Sequence, residues 1–237
     1  MEIDEKLAEL IGITIGDGCI SITKRYSEYA VSGDVNEERE YYDSHVIPLM
    51  KEVLARKIPD VKICGKEYSK TGVYGVYIFD KRVTDFFIEY GLKSGKKTFV
   101  EIPKSILENK KTHIPFLRGL FDTDGSIFFQ KSNSTKNPIH KFPRITLVST
   151  SHLLIEQVAN ILLSLGYSPK IQKPSKGKRD KNPSHRLSIH RRQDTAKWIE
   201  ETGFSSPKHL TKIAVWRKLG YCPPKTTINQ RKAILNG

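Results

Sequence analysis

Ile114-Pro115-Phe116-Leu117-Arg118-Gly119-Leu120-Phe121-Asp122-Thr123-Asp124-Gly125-Ser126-Ile127 is an apolar run that breaks at Asp-Gly, and the chain carries it twice. The other copy is Leu7-Ala8-Glu9-Leu10-Ile11-Gly12-Ile13-Thr14-Ile15-Gly16-Asp17-Gly18-Cys19-Ile20. With Asp17 set on Asp124, Gly12 falls on Gly119, Leu10 on Leu117, Gly18 on Gly125 and Ile20 on Ile127. The copies lie close to half a chain apart, which is the mark of a duplicated unit.

Apolar residues surround each copy through its turns, so each reads as a buried helix. Gly12 and Gly16 share one face; Gly119 and Thr123 take the same places in the second copy. An interior glycine costs a helix about 1 kcal/mol relative to alanine. Close approach of a second backbone offsets that, as small residues four apart do in membranes. The two helices are therefore expected to pack on each other along Gly12, Gly16, Gly119 and Thr123. Their C-terminal ends then lie side by side and bring Asp17 and Asp124 together. Paired carboxylates repel unless a cation neutralises them. A hard cation such as Mg²⁺ suits carboxylate and carbonyl oxygens, and the helix ends add the unpaired carbonyls of Gly16 and Thr123. A metal site on the duplication axis follows.

Residues 117–125 closely resemble the motif of the LAGLIDADG homing endonucleases, and residues 10–18 resemble a variant with Ile15 in place of the first acid. The family's catalytic acid is the last one, present as Asp17 and Asp124. The resemblance implies an α+β protein of two pseudo-symmetric αββαββα units, each with a four-stranded antiparallel saddle-like sheet, joined through the two motif helices. It implies a monomer that cuts both strands of a long pseudo-palindromic or asymmetric DNA site, leaving 3′ overhangs. It implies two or three Mg²⁺ or Mn²⁺ ions, which acidify water and stabilise the leaving oxygen.

The chain has 237 residues, with 40 Lys+Arg against 26 Asp+Glu and a formal net charge of +14. That balance points to a polyanion, with nucleic acid the default partner. Three scattered cysteines, Cys19, Cys64 and Cys222, form neither a disulfide framework nor a zinc pattern. No apolar run has membrane-spanning length, and Met1-Glu2-Ile3-Asp4-Glu5 lacks the features of a secretory signal. An intracellular protein, cytoplasmic or organellar, is expected.

The rest of the chain repeats one order. Asp4 can cap the first helix. Residues 19–25 alternate as a strand, with 28–34 as its partner. Residues 37–56 are helical despite Pro48; 61–67 and 73–79 read as strands, and 81–90 as a helix stopped by Gly91. This unit spans 1–97. A linker at 98–113 includes a short helix from Ile102-Pro103. The second unit, 114–222, offers strands at 126–131 and 142–149 and a helix capped by Ser151. Strands at 169–174 and 185–190 and helices at 195–202 and 206–219 complete it. Residues 223–237 read as a basic tail of little periodicity.

Strand alternation separates inward from outward side chains. Ile20, Ile22, Val31, Ile63 and Val76 should face the first unit's helices. Ser21, Thr23, Arg25, Lys62, Lys66 and Tyr77 then line its other face. In the second unit Ile145, Leu147, Ile171, Leu187 and Ile189 face inward. Gln130, Arg144, Thr146, Lys170, Gln172, Arg186, Ser188 and His190 face outward. Arginine suits guanine and glutamine adenine in the major groove. The loop carrying Lys176, Lys178, Arg179 and Lys181 suits phosphates, giving affinity rather than specificity.

Residues 91–97 match 203–209, each following the last helix of its unit's repeat. The resemblance assigns a basic residue here to polarising the attacking water or steadying the phosphate. That role falls to Lys97 or Lys96 and to Lys208. His113, His152 and His209 lack ligand spacing. A non-cleaving relative, such as an intron RNA maturase or a DNA-binding regulator, is the alternative reading, and intron RNA is then a further partner. An intein is disfavoured, since Met1 is no nucleophile and Leu235-Asn236-Gly237 lacks a His-Asn ending.

Overall fold

The computed structural model describes residues 3–95, 97–131, 140–178 and 180–237. The Asp4 carboxylate accepts the Leu7 N–H at 2.8 Å and caps α1 (Glu5–Asp17), in which every residue from Leu7 to Gly16 is buried. After it come β1 (Gly18–Ile22), β2 (Ser27–Asp34), α2 (Val35–Tyr41), a π-helical turn (Tyr42–Val46) and α3 (Ile47–Ala55). Strands β3 (Gly65–Tyr68) and β4 (Val73–Ile78) and helix α4 (Lys81–Glu89) finish the first unit. A 3₁₀ turn (Lys97–Phe99), α5 (Lys104–Glu108) and a second 3₁₀ turn (Lys110–Thr112) lead to α6 (His113–Thr123).

The order then recurs: β5 (Gly125–Lys131), β6 (His140–Ser149), α7 (His152–Ser164), β7 (Lys170–Ile171), β8 (His185–Ile189) and α8 (Arg192–Lys197), which runs into a π turn (Trp198–Thr202). Helices α9 (Pro207–Leu219) and α10 (Ile228–Asn236) close the chain. The sheets are antiparallel, ordered β1-β2-β4-β3 and β5-β6-β8-β7, so the duplication seen in the motif extends to the topology. The fold is α+β, as expected.

Helices α1 and α6 form the centre. A Cβ on Gly12 would overlap the Phe116 carbonyl, and one on Gly119 would overlap the Glu9 carbonyl. A Cβ on Gly16 would overlap the Thr123 hydroxyl. The small residues thus let the two backbones touch, which accounts for glycine inside both helices. The inner sheet faces pack around this pair through Ile20, Tyr29, Val31 and Val76 on one side and Ile127, Ile145, Leu187 and Ile189 on the other, in one continuous core.

Several boundaries differ from the sequence reading. The strand placed at 61–67 begins only at Gly65, because the Val61 amide is turned back onto the Ile58 carbonyl (3.2 Å); Lys62 is therefore in a loop. Ile22 and Ile171 lie at sheet margins and are each 41% exposed rather than covered by helices. β7 holds only Lys170 and Ile171, although the Gln172 amide still bonds the Arg186 carbonyl (2.9 Å) and Ser175 bridges Ser184. The helix through Pro48 starts earlier, at an Asp34 cap, and carries the π turn just before the proline, where the Ile47 amide reaches back to the Tyr42 carbonyl. Proline lacks the amide for the normal bond, and the wide turn absorbs the mismatch.

The largest correction concerns the C-terminus. The stretch read as a basic tail of little periodicity is helical: Thr227 and Gln230 form a reciprocal capping box that starts α10. Arg231, 1% exposed, ties this helix to Glu37 of α2 at 2.6 Å and to the Thr211 hydroxyl at 2.9 Å. The end of the chain therefore packs on α9 and is tied by ion pairs to α2 of the first unit.

Candidate active site and nucleic-acid face

Asp17 ends α1 and Asp124 caps the C-terminus of α6. The helix crossing brings them close enough that the Asp124 charge raises the Asp17 pKa. Burial is the largest cause, followed by Glu38 and Asp124; together they push the Asp17 carboxyl up to about 7 against the pull of Lys208 and Lys97. Asp124 keeps an exposed surface, and its carboxyl is also raised, by crowding of the surrounding protein, with Lys97 and Lys208 opposing. Exposure to water makes the Asp124 shift the weaker constraint.

Both expected lysines reach this place. The Lys97 ammonium donates to the Gly16 carbonyl at the end of α1. Lys208, at the start of α9, pairs with Glu38 at 2.6 Å. Lys96 lies outside the described residues, so Lys97 is the lysine of that pair shown at the helix end. The Thr123 hydroxyl is turned inward onto the Gly119 and Leu120 carbonyls, both at 3.0 Å.

Three contributors were not read from the sequence. Glu38 is buried against Gly33, takes the Asp34 N–H at 2.8 Å and holds Lys208. An acid in the first turns of a helix is common for dipole reasons, so nothing marked it out. The Tyr42 hydroxyl donates to Asp17 Oδ2 at 3.3 Å. Asp122 has a third role: its carboxylate accepts the Ser205 N–H (2.9 and 3.1 Å) and the Ser206 N–H (3.0 Å), holding the entrance to α9 and so Lys208. Ile15 cannot do this in the first half; there the Gly95 amide bonds the Ile20 carbonyl at 3.3 Å.

Among the described residues no three His, Cys, Asp or Glu side chains form a ready metal cluster. The available donors are two carboxylates and the carbonyls at two helix ends, a set of hard oxygens. Lys97 already places a positive charge on one of those carbonyls. This chemistry fits a divalent cation of the Mg²⁺ type.

Residues 112–203 match a family model described as a LAGLIDADG-like domain. The second half of the chain is thus similar to a LAGLIDADG-like domain. The whole chain shares its fold with solved homing endonucleases. I-DmoI in complex with DNA and Mn aligns at TM-score 0.58 and 21% identity, covering 83% of this chain and 94% of that one. An I-SmaMI variant aligns at TM-score 0.57 and 14% identity, covering 97% and 96%. The N-terminal LAGLIDADG domain of DUF199/WhiA aligns at TM-score 0.51 and 14% identity, covering 84% and 82%. In sequence the chain is 26% identical over 215 residues to a DNA polymerase of Thermococcus hydrothermalis, covering 88% of the chain but 12% of the polymerase. It is 25% identical over 210 residues to a replication factor C small subunit of Methanocaldococcus jannaschii, covering 89% of the chain and 10% of that protein. The chain thus spans about a tenth of the length of these curated relatives.

The two sheets present the expected outer faces with some exceptions. In the second unit the register places Gln130, Arg144, Thr146, Lys170, Arg186 and Ser188 on one face, and Gln172 and His190 continue the same period of two. Thr146 and Ser188 are nevertheless buried. Arg144 is held by Gln130 (3.0 Å) and by the His190 carbonyl, and Gln172 donates to Ser188 at 3.0 Å. In the first unit Ser21, Lys66 and Tyr77 share the outer face, where Lys66 sits over the Tyr68 ring. Thr23 is used by its own turn: its hydroxyl accepts the Arg25 and Tyr26 amides (3.2 and 3.1 Å), leaving Arg25 exposed at the tip. Lys176, Lys178 and Lys181 are exposed on the long hairpin between β7 and β8; Arg179 lies outside the described residues.

Proposed function

We propose that this chain is a site-specific double-strand DNA endonuclease that hydrolyses one phosphodiester in each strand with divalent metal. The observation that carries this reading is the pairing of Asp17 and Asp124 at two abutting helix ends, flanked by Lys97 and Lys208. A fold that only binds nucleic acid needs no such pair of crowded acids with raised pKa values. The solved I-DmoI complex with DNA and Mn supports the same use of the fold.

Asp17 and Asp124 would hold the cations, with helix-end carbonyls as further oxygen donors. Bound there, a divalent cation supplies Lewis-acid charge and lowers the pKa of water. Lys97 and Lys208 place fixed positive charge where the phosphate gains negative charge, preorganised because Gly16 and Glu38 hold them. Glu38 and Asp122 keep Lys208 in place. One acid from each half gives each half one strand to cut; the resemblance to homing endonucleases implies a staggered break with 3′ overhangs. Two unlike sheet faces on one chain suit a long asymmetric duplex site.

The test uses DNA that flanks the reading frame, joined without the frame, as substrate with Mg²⁺ or Mn²⁺. The intact chain should linearise a plasmid carrying that junction. Asp17→Asn or Asp124→Asn should abolish double-strand cutting while leaving duplex affinity within a few-fold. A fully active single variant would overturn the site assignment. Binding with no cutting by the parent chain would favour the non-cleaving reading.

A further inference from the structure

Below Lys208, one turn further along α9, Lys212 points into a cavity of about 490 Å³ between β5 and the turn that precedes α10. Lys208, Arg231, Lys225 and His140 line the same space; Glu37 is its acid. The charges there do not cancel. Glu37 is taken by Arg231 at 2.6 Å and by the Ile228 amide at 2.7 Å. Lys208 has Glu38. Among the described residues Lys212 forms no ion pair, Glu37 acting on it only from beyond contact, and its one hydrogen bond is a long 3.4 Å one to the Ile127 carbonyl.

Burial, together with Arg231 and Lys208 nearby, holds the Lys212 ammonium below the usual lysine range. An anion in the cavity would relieve that repulsion. The rim carries a second sign of construction. Lys225 adopts φ 59°, the sole non-glycine at positive φ among the described residues. That conformation is unfavourable for a lysine, and strain of this kind collects at ligand sites. Phe128, on the outer face of β5, also lines the space, so the cavity opens toward the face that the duplex would occupy.

We propose that Lys212, with Lys225 beside it, forms a phosphate site that grips a non-scissile backbone phosphate of the DNA strand crossing the second unit. This deepens the nuclease reading and rests on it. A phosphate here would fix the strand one step from Lys208 and so set which phosphodiester meets the paired acids.

The test reads binding, not cutting, on the full chain carrying Asp17→Asn and Asp124→Asn. Lys212→Gln should lower the slope of log K against log salt for a duplex by about one, and Lys212→Arg should restore it. Lys51→Gln, an exposed lysine on α3, should leave the slope unchanged. In ¹⁵N-lysine spectra the Lys212 signal should move on adding duplex. An unchanged slope with a static Lys212 signal would overturn the proposal even where a Lys212→Gln variant folds poorly. If Lys212 responds to inorganic phosphate but not to duplex, the cavity takes a small free anion and the DNA assignment fails. If the chain binds no duplex, the nuclease reading fails, and the inorganic phosphate titration reports on the cavity separately.

Discussion

Lys208 of α9 is joined to Glu38 of α2 by a 2.6 Å ion pair with both side chains largely buried. A residue from the second half is thus held by an acid from the first, beside a site to which both halves contribute. Removing one partner of such a pair leaves an uncompensated buried charge, which costs about 3–5 kcal/mol. Glu38→Ala should therefore lower unfolding stability by a few kcal/mol, measured by urea titration. Glu38→Gln keeps the hydrogen bonds and should cost less. It should also lower the Asp17 pKa, since the Glu38 charge is one of its causes. An unchanged Asp17 titration in Glu38→Gln would contradict this electrostatic coupling.

The helix crossing predicts an unusual sign for a usually stabilising substitution. Glycine to alanine inside a helix normally gains about 1 kcal/mol. At Gly12 or Gly119 the added methyl meets backbone of the partner helix, which cannot rotate away. Each substitution should instead destabilise the chain by about 2 kcal/mol or more, read as a fall in Tm. A neutral or stabilising Gly12→Ala would mean that the helices do not touch there.

Asp17 predicts a stability profile opposite to that of a salt-bridged acid. Its folded pKa stands near 7 against 3.8 unfolded, so the folded state binds more protons between those values. Without metal, this group's contribution is present below about pH 4 and is lost as pH rises toward 7. The parent should therefore lose stability relative to Asp17→Asn over that interval, by an amount on the order of a few kcal/mol. Mg²⁺ or Mn²⁺ should raise Tm more at pH 8 than at pH 5.5, because only the carboxylate binds. An equal metal effect at both pH values would contradict a site built on Asp17.

The exposed hairpin lysines predict a salt effect. Neutralising Lys176, Lys178 and Lys181 together should reduce the salt slope of duplex binding by about two to three, with little change in sequence preference. An unchanged slope would exclude a phosphate role for this hairpin.

The duplication, both sheets and the paired acids were legible because they rest on local pattern: Asp-Gly after an apolar helix, alternation in the strands, and glycines four apart. The lysines came from aligning two loops. What stayed hidden depends on contacts between distant segments. Glu38 looks like any acid near a helix start until Lys208 arrives from the other half. Asp122 shows its role only when the 205–206 amides fold onto it. The α10 helix was overlooked because its exposed face is polar and the Pro223-Pro224 pair reads as an end. The Thr227–Gln230 capping box was the one available signal. Thr146 and Ser188 had the right alternation, but nothing in the sequence marked them as buried.

A shared cation site between Asp17 and Asp124 is what the nuclease reading requires. Anomalous diffraction from a crystal soaked in Mn²⁺ tests it most directly. One or more peaks should lie within about 2.5 Å of carboxylate oxygens from both residues, weakened or lost in Asp17→Asn. Separated side chains, with no manganese peak at either, would contradict the central claim.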